Sequence, residues 1–282
     1  MIKSAMQLKA KIRNLAKGNS NKAQTLLRNF IMERFLERVS LSSYRNNFIL
    51  KGGMLVSAIV GIDYRTTMDI DTTINGLQLG KDQTTKMIEE IIDIDAFDGV
   101  TFKIQSVASI MDDFDYPGLR YMLEASFDGL HQPIKIDIST GDIITPSAIL
   151  FDYKLMFEDR HLKIYAYNIE TLLAEKLETI MSRGEDNTRM RDFYDVYFIW
   201  SQEKESINLD NLVRAFLMTS TYRKTYDLFS DIDIIINRIR SSSNVENNWH
   251  SYKNKTFFID ELSWKDVLDT VSTVFDTIKT ML

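Results

Sequence analysis

Apolar residues recur along this chain in two rhythms, a helical one at both ends and an alternating one in the middle. Met6, Leu8, Ile12 and Leu15 stand against lysines and Arg13, which predicts an amphipathic helix over residues 3–17. Gly18-Asn19-Ser20 stops it, with Ser20 placed to cap the next helix. That second helix, over 22–39, carries Leu26, Leu27, Phe30, Ile31, Phe35 and Val39 at helical spacing and is expected to turn Arg28, Arg34 and Arg38 outward. A polar loop over 40–47 then gives way to Phe48-Ile49-Leu50, a buried strand, and to a short helical run over 54–60. Asp69-Ile70-Asp71 lies in a second strand, followed by turn signals at Asn75-Gly76 and Leu79-Gly80. Residues 86–94 read as helix, 100–106 and 120–127 as strands, and the acidic stretch 112–118 between them as a solvated connector. In 132–142, Ile134, Ile136 and Ile138 share one face of a strand while Lys135, Asp137 and Ser139 share the other. One more strand, 162–167, precedes a helical remainder with helices near 171–181, 189–200, 209–218, 232–239 and 264–278. Ser263 caps the last of these, and 241–244 and 247–250 read as loops.

This order predicts an α+β protein, a mixed β-sheet flanked by helices with a helical C-terminal lobe. Its expected divisions are an N-terminal helical arm packed on the core (1–47), a sheet core (48–167) and the lobe (168–282). At 282 residues the chain is long enough for one large domain or two lobes. It has no cysteine, which excludes disulfides, thiolate metal sites and a cysteine nucleophile. Its three histidines are far apart, so any metal is expected on carboxylates, which favours Mg²⁺ or Mn²⁺. No signal peptide or membrane span is legible at the N-terminus, and a cytoplasmic location is expected.

The formal net charge of −6 hides an asymmetry. Residues 1–45 hold ten Lys/Arg against Glu33 and Glu37, a local charge of +8 that leaves −14 for the rest. A basic arm beside an acidic site can steer a polyanion; it can equally be a solvated helix surface.

The candidate chemistry starts at Gly52-Gly53 and Asp69-x-Asp71. On a strand the two carboxylates face one way and Ile70 the other, a layout suited to a hard divalent cation. The glycine pair lets a phosphate approach the backbone at a helix N-terminus. Asp137 supplies a third carboxylate on the polar face of its own strand. Farther on, Lys176 falls inside the apolar arc of the helix over 171–181, so it either snorkels or reaches a carboxylate or phosphate in a cleft. Asp192 shares a face with Val196 and Ile199 and needs a cationic partner, for which Lys176 and Arg183 are candidates.

Gly52-Gly53 with Asp69-x-Asp71 resembles the nucleotidyltransferase (DNA polymerase β-like) superfamily. The Lys135-x-Asp137-Ile138 strand, Glu175-Lys176-Leu177 and Arg191-Asp192-x-Tyr194-Asp195 narrow the resemblance to abortive-infection toxins of the AbiEii/AbiGii type. That resemblance implies a toxin of a toxin–antitoxin, phage-defence system that moves a nucleotide from an NTP to an acceptor with release of pyrophosphate. It implies metal ions on Asp69, Asp71 and Asp137. It also implies a triphosphate at Gly52, Gly53 and Lys176, with Lys135 and Arg65 as further nucleotide contacts, and a role for Asp192 in orienting Lys176 or the nucleotide. Thr67 is either a phosphate contact or a strand-surface residue. The implied acceptor is RNA, foremost the tRNA 3′ end, and the implied partner an antitoxin encoded alongside. A small-molecule or protein nucleotidyltransferase, or a non-catalytic nucleotide-binding module, shares part of the pattern.

Overall fold

The computed structural model describes residues 2–77, 80–110, 118–259 and 261–282. It divides into two compact units, one of residues 1–142 and 149–166 and one of residues 143–148 and 167–282. The acidic stretch expected as a connector over 112–118 lies, but for Gly118, outside the described residues.

The first unit is built on a seven-stranded mixed sheet in the order β3-β4-β5-β2-β1-β7-β6. The strands are β1 (Phe48–Lys51), β2 (Asp69–Ile74), β3 (Val100–Ile110), β4 (Gly118–Phe127), β5 (Leu130–Thr140), β6 (Ile149–Lys154) and β7 (His161–Ala166). Among them β6 was not anticipated from the sequence. It pairs antiparallel with β7 at the sheet edge, and it alternates too weakly in polarity to announce itself. Two contacts are parallel, β2 with β5 and β1 with β7. Ile70, Ile136 and Ile138 are buried as their alternation requires.

Helices α1 (Ala5–Ala16), α2 (Ser20–Leu41), α3 (Gly52–Val60) and α4 (Lys81–Ile92) complete this unit. In α1 the buried stripe is Ala5, Leu8, Ile12 and Ala16, whereas Met6 and Leu15 are exposed, a rotation from the expected face. The cap of α2 is Asn19 rather than Ser20, its side chain accepting from the Lys22 N–H at 2.9 Å.

The larger correction concerns α2 itself. Every residue from Asn29 to Val39 is buried, so Arg34 and Arg38 point inward, not out. Each charge is met by a partner from elsewhere in the chain. Arg38 grips Asp98 through two bonds of 2.8 and 3.0 Å and also donates to the Val100 carbonyl. Arg34 lies 3.1 Å from Glu37 and 3.2 Å from Glu158, and Arg160 closes the network on both of those acids. A buried ion is tolerated only when paired and hydrogen-bonded; besides the local Glu37, the partners here lie 60 positions away for Arg38 (Asp98) and 124 for Arg34 (Glu158).

The second unit is helical: α5 (Ile169–Arg183), α6 (Met190–Glu203), α7 (Leu209–Tyr222), α8 (Ile232–Ser241), α9 (Ser243–Lys255) and α10 (Trp264–Met281), with short 3₁₀ turns between several of them. Residues 247–250, expected as loop, lie within α9, which is capped by Ser242 and held by fully buried Trp249 against Trp264. Ser263 caps α10 as expected, accepting from the Asp266 N–H at 3.1 Å. The 143–148 segment is stitched to the start of α5, where Asn168 donates to the Thr145 and Ser147 carbonyls, both at 2.9 Å. No described helix is long and apolar enough to cross a membrane.

One buried group makes stability depend on pH. Burial raises the Glu33 carboxyl from 4.5 to about 8, although Arg34 and the Met156 N–H pull the other way. The folded state therefore holds this proton more tightly than the unfolded chain. Its stability should fall as pH rises from near 5 to 8, by on the order of 4 kcal/mol once the group is fully ionised. Glu33→Gln keeps an acceptor for Met156 and should flatten that decline; denaturant unfolding at pH 5, 6.5 and 8 reads it, and equal slopes in both proteins would contradict the assignment.

Candidate active site

The site grows out of the parallel pairing of β2 with β5. Its register sets Asp69 opposite Lys135 and Asp71 opposite Asp137. One carboxylate oxygen from each of Asp69, Asp71 and Asp137 lies within 4.8 Å of the others, the only such acidic group among the described residues. An all-oxygen donor set of this span fits a hard divalent cation.

Each carboxylate is held by neighbours whose sequence positions explain them. Asp69 Oδ1 accepts from Thr67 Oγ1 at 2.9 Å, and Lys135 Nζ sits 2.5 Å from its Oδ2. Asp137 takes a two-pronged bond from Arg120, Nε to Oδ1 and Nη2 to Oδ2, both 2.8 Å. Hydrogen bonding to Asp137, only partly opposed by burial, raises Arg120 above its usual value, with Asp69 and Asp71 adding to the effect. Asp71 Oδ2 faces the start of α3, 3.4 Å from the Gly53 N–H. Beside them, burial raises the Asp142 carboxyl, but Lys51 together with Ser139 and Thr73 outweighs it and leaves it low.

The two glycines are required by this crowding. At Gly52 φ is +65°, and an added Cβ would lie 2.1 Å from Asp71 Oδ2. At Gly53 a Cβ would lie 2.7 Å from Thr67 Oγ1 and 3.2 Å from Arg65 Nη2. At Gly52 both the left-handed turn and the close approach of a carboxylate exclude a side chain, and at Gly53 the Thr67 side chain does. Arg65 and Thr67 are themselves buried beside the glycine turn.

The second unit contains its own ionic cluster. Lys176 on α5 reaches two carboxylates of α6, Asp192 Oδ1 at 3.1 Å and Asp195 Oδ2 at 2.6 Å. Arg189 Nε donates to the free edge of Asp192 at 2.6 Å. Burial raises the Asp192 carboxyl, but Lys176 and Arg189 overcome this and bring it down to about 2. The ammonium inside the apolar arc thus meets carboxylates, and Arg189, not Arg183, is the second cation on Asp192.

Over residues 34–270 the chain matches the model of a family described as nucleotidyl transferase AbiEii toxin, type IV toxin–antitoxin system. It belongs to the AbiEii toxin family. The chain is therefore a nucleotidyltransferase with the α+β fold expected of one. Among solved structures it is similar to a "putative nucleotidyltransferase" from H. pylori, with a TM-score of 0.54 and 15% identity, covering 92% of this chain and 98% of that one. It is also similar to JHP933 from Helicobacter pylori, with a TM-score of 0.52 and 16% identity, covering 92% of this chain and 91% of that one. At those identities the likeness shows the fold alone. No curated protein matches the chain.

For an AbiEii-family chain, the structure thus gathers Asp69, Asp71, Asp137, Lys135, Thr67, Arg65 and the glycine pair in the first unit, and Lys176 with Asp192 in the second. Arg120 was missed. It lies near the start of β4, which alternates plainly, but only the antiparallel register Arg120↔Asp137 reveals which acid it faces. Asp195, one helical turn from Asp192, makes the shorter of the two contacts to Lys176.

Gly52→Ala should displace Asp71 and strain the backbone, costing about 1–3 kcal/mol in stability along with nucleotidyl transfer; thermal unfolding and a transfer assay check both, and a wild-type profile would refute the close-approach argument. Lys176→Ala removes the ammonium that bridges the buried Asp192 and Asp195 and should destabilise the protein by about 3–5 kcal/mol, read by urea denaturation.

Proposed function

We propose that this toxin transfers a nucleoside monophosphate from an NTP to an RNA acceptor, foremost the 3′ end of tRNA, with release of pyrophosphate. It would act in the cytoplasm in phage defence, depend on Mg²⁺ or Mn²⁺, and be neutralised by a cognate antitoxin. The observation that carries this reading is the gathering of three carboxylates from two parallel strands beside a glycine turn that opens a helix.

Asp69, Asp71 and Asp137 would hold the divalent ions. When bound, such ions supply charge neutralisation for the phosphates and a lowered pKa for the attacking hydroxyl. The chain's own groups do the rest. The α3 N-terminus at Gly52-Gly53 offers backbone N–H groups and a positive helix end to the triphosphate. Lys135, already among the carboxylates, adds a positive charge, and Arg65 and Thr67 bound the turn. By resemblance, Lys176 is assigned to the triphosphate charge and Asp192 to its orientation.

For the acceptor, the supporting feature is α1, which exposes Lys9, Lys11, Arg13 and Lys17. Phosphate contacts are made chiefly by such side chains. Arg34 and Arg38 drop out of that surface because they are buried, so the basic face is narrower than residues 1–45 suggested.

Incubation with each α-labelled NTP, Mg²⁺ and total tRNA should place label on RNA. Asp69→Asn or Asp71→Asn should abolish it with the fold intact, since losing one of three clustered charges relieves repulsion. Charge reversal at Lys9, Lys11 and Arg13 should weaken RNA labelling while NTP affinity stays unchanged. Label on protein instead of RNA would overturn the acceptor, and turnover by both Asp variants would overturn the active site.

A further inference from the structure

The carboxylates of the site face cations supplied by the protein itself. Arg120 on β4 stands directly across from Asp137 on β5, so its place is set by strand register and not by a chance rotamer. Its guanidinium spans both Asp137 oxygens, the planar two-bond fit that only arginine makes. Lys135 covers Asp69 in the same layer, 3.9 Å from Asp137. Three ionised acids within 4.8 Å repel one another strongly, and these cations offset that repulsion. The Arg120 side chain is 40% exposed and the Asp137 side chain 16%, so the guanidinium has room to leave while the carboxylate stays in place.

Arg120 bonds both Asp137 oxygens, so whichever of them joins the acidic cluster already carries a bond to the guanidinium. We propose that Arg120 is a positioning residue that acts as a displaceable stand-in for the divalent cation. It holds Asp137 in the ion-free protein and must be exchanged when the ion arrives. Loading is then cation for cation, and the fold is never left with three unbalanced charges. The inference rests on the metal-site reading of Asp69, Asp71 and Asp137. It predicts a sign that a purely structural pin does not: removing Arg120 should tighten the ion, because the competitor is gone.

The test is a titration of nucleotide-free protein with Mn²⁺ alone, followed by the EPR signal of free Mn²⁺. Arg120→Gln and Arg120→Ala should bind Mn²⁺ about tenfold tighter than wild type, the scale of one lost charge-assisted pair, and should unfold at a lower temperature in EDTA. Arg120→Lys keeps the charge without the fork and should fall between; it also serves if the other two variants do not fold. Unchanged or weaker Mn²⁺ binding in every folded Arg120 variant, with wild type binding normally, would overturn the exchange alone. Wild type that binds no Mn²⁺, or binds it equally well as Asp137→Asn, would overturn the metal-site reading and the exchange with it.

Discussion

The parallel pairing of β2 with β5 is the constraint on which the first unit's chemistry depends. Side chains on a strand alternate with a period of two, so a slip of one residue would turn every member of the site to the opposite face. Ile70 on β2 and Ile134, Ile136 and Ile138 on β5 are all buried and hold the register by their burial. The same pairing that hides these isoleucines brings Asp71 opposite Asp137 and Asp69 opposite Lys135. Concentrating negative charge in this way is unfavourable unless opposite charge is built in beside it. Lys135 and Arg120, each fixed by its own strand, provide that balance.

A similar logic governs the buried charges away from the site. Helix α2 runs through the interior of the first unit, and its hydrophobic positions alone do not fill its circumference. Arg34, Glu37 and Arg38 are carried inside and matched by Asp98, Glu158 and Arg160, while Glu33 is buried beside them with its carboxyl raised to about 8. In the second unit Lys176, Asp192, Asp195 and Arg189 form a comparable neutral set on two helices. Replacing one member of such a set is costly because the others remain buried without compensation. Loss of activity on mutating Lys176 is therefore informative about chemistry only when measured beside stability.

The glycine pair shows how one motif can answer two demands. A backbone free of side chains suits the approach of a phosphate, and it is also what the Asp71 carboxylate needs at Gly52. The helix that starts there turns its first N–H groups toward acid, which places the helix dipole beside the cluster of charge. Local backbone geometry and site electrostatics are thus one arrangement.

Much of this was legible in the chain itself. Alternation in β2 and β5 placed Asp69, Asp71 and Asp137 on polar faces, and helical periodicity marked Lys176 as an ammonium within an apolar arc. These are local properties, fixed by periods of 2 and 3.6 residues that need no knowledge of partners. The exceptions have a common cause. The Asn19 cap and the extent of α9 depended on local geometry and packing finer than composition reveals. The inward turn of Arg34 and Arg38, the edge strand β6, and the grip of Arg120 on Asp137 all depend on which distant residue lies alongside. A sequence states the charge and the face of a side chain; only the folded chain decides what stands across from it, because burial and pairing are properties of neighbours in space.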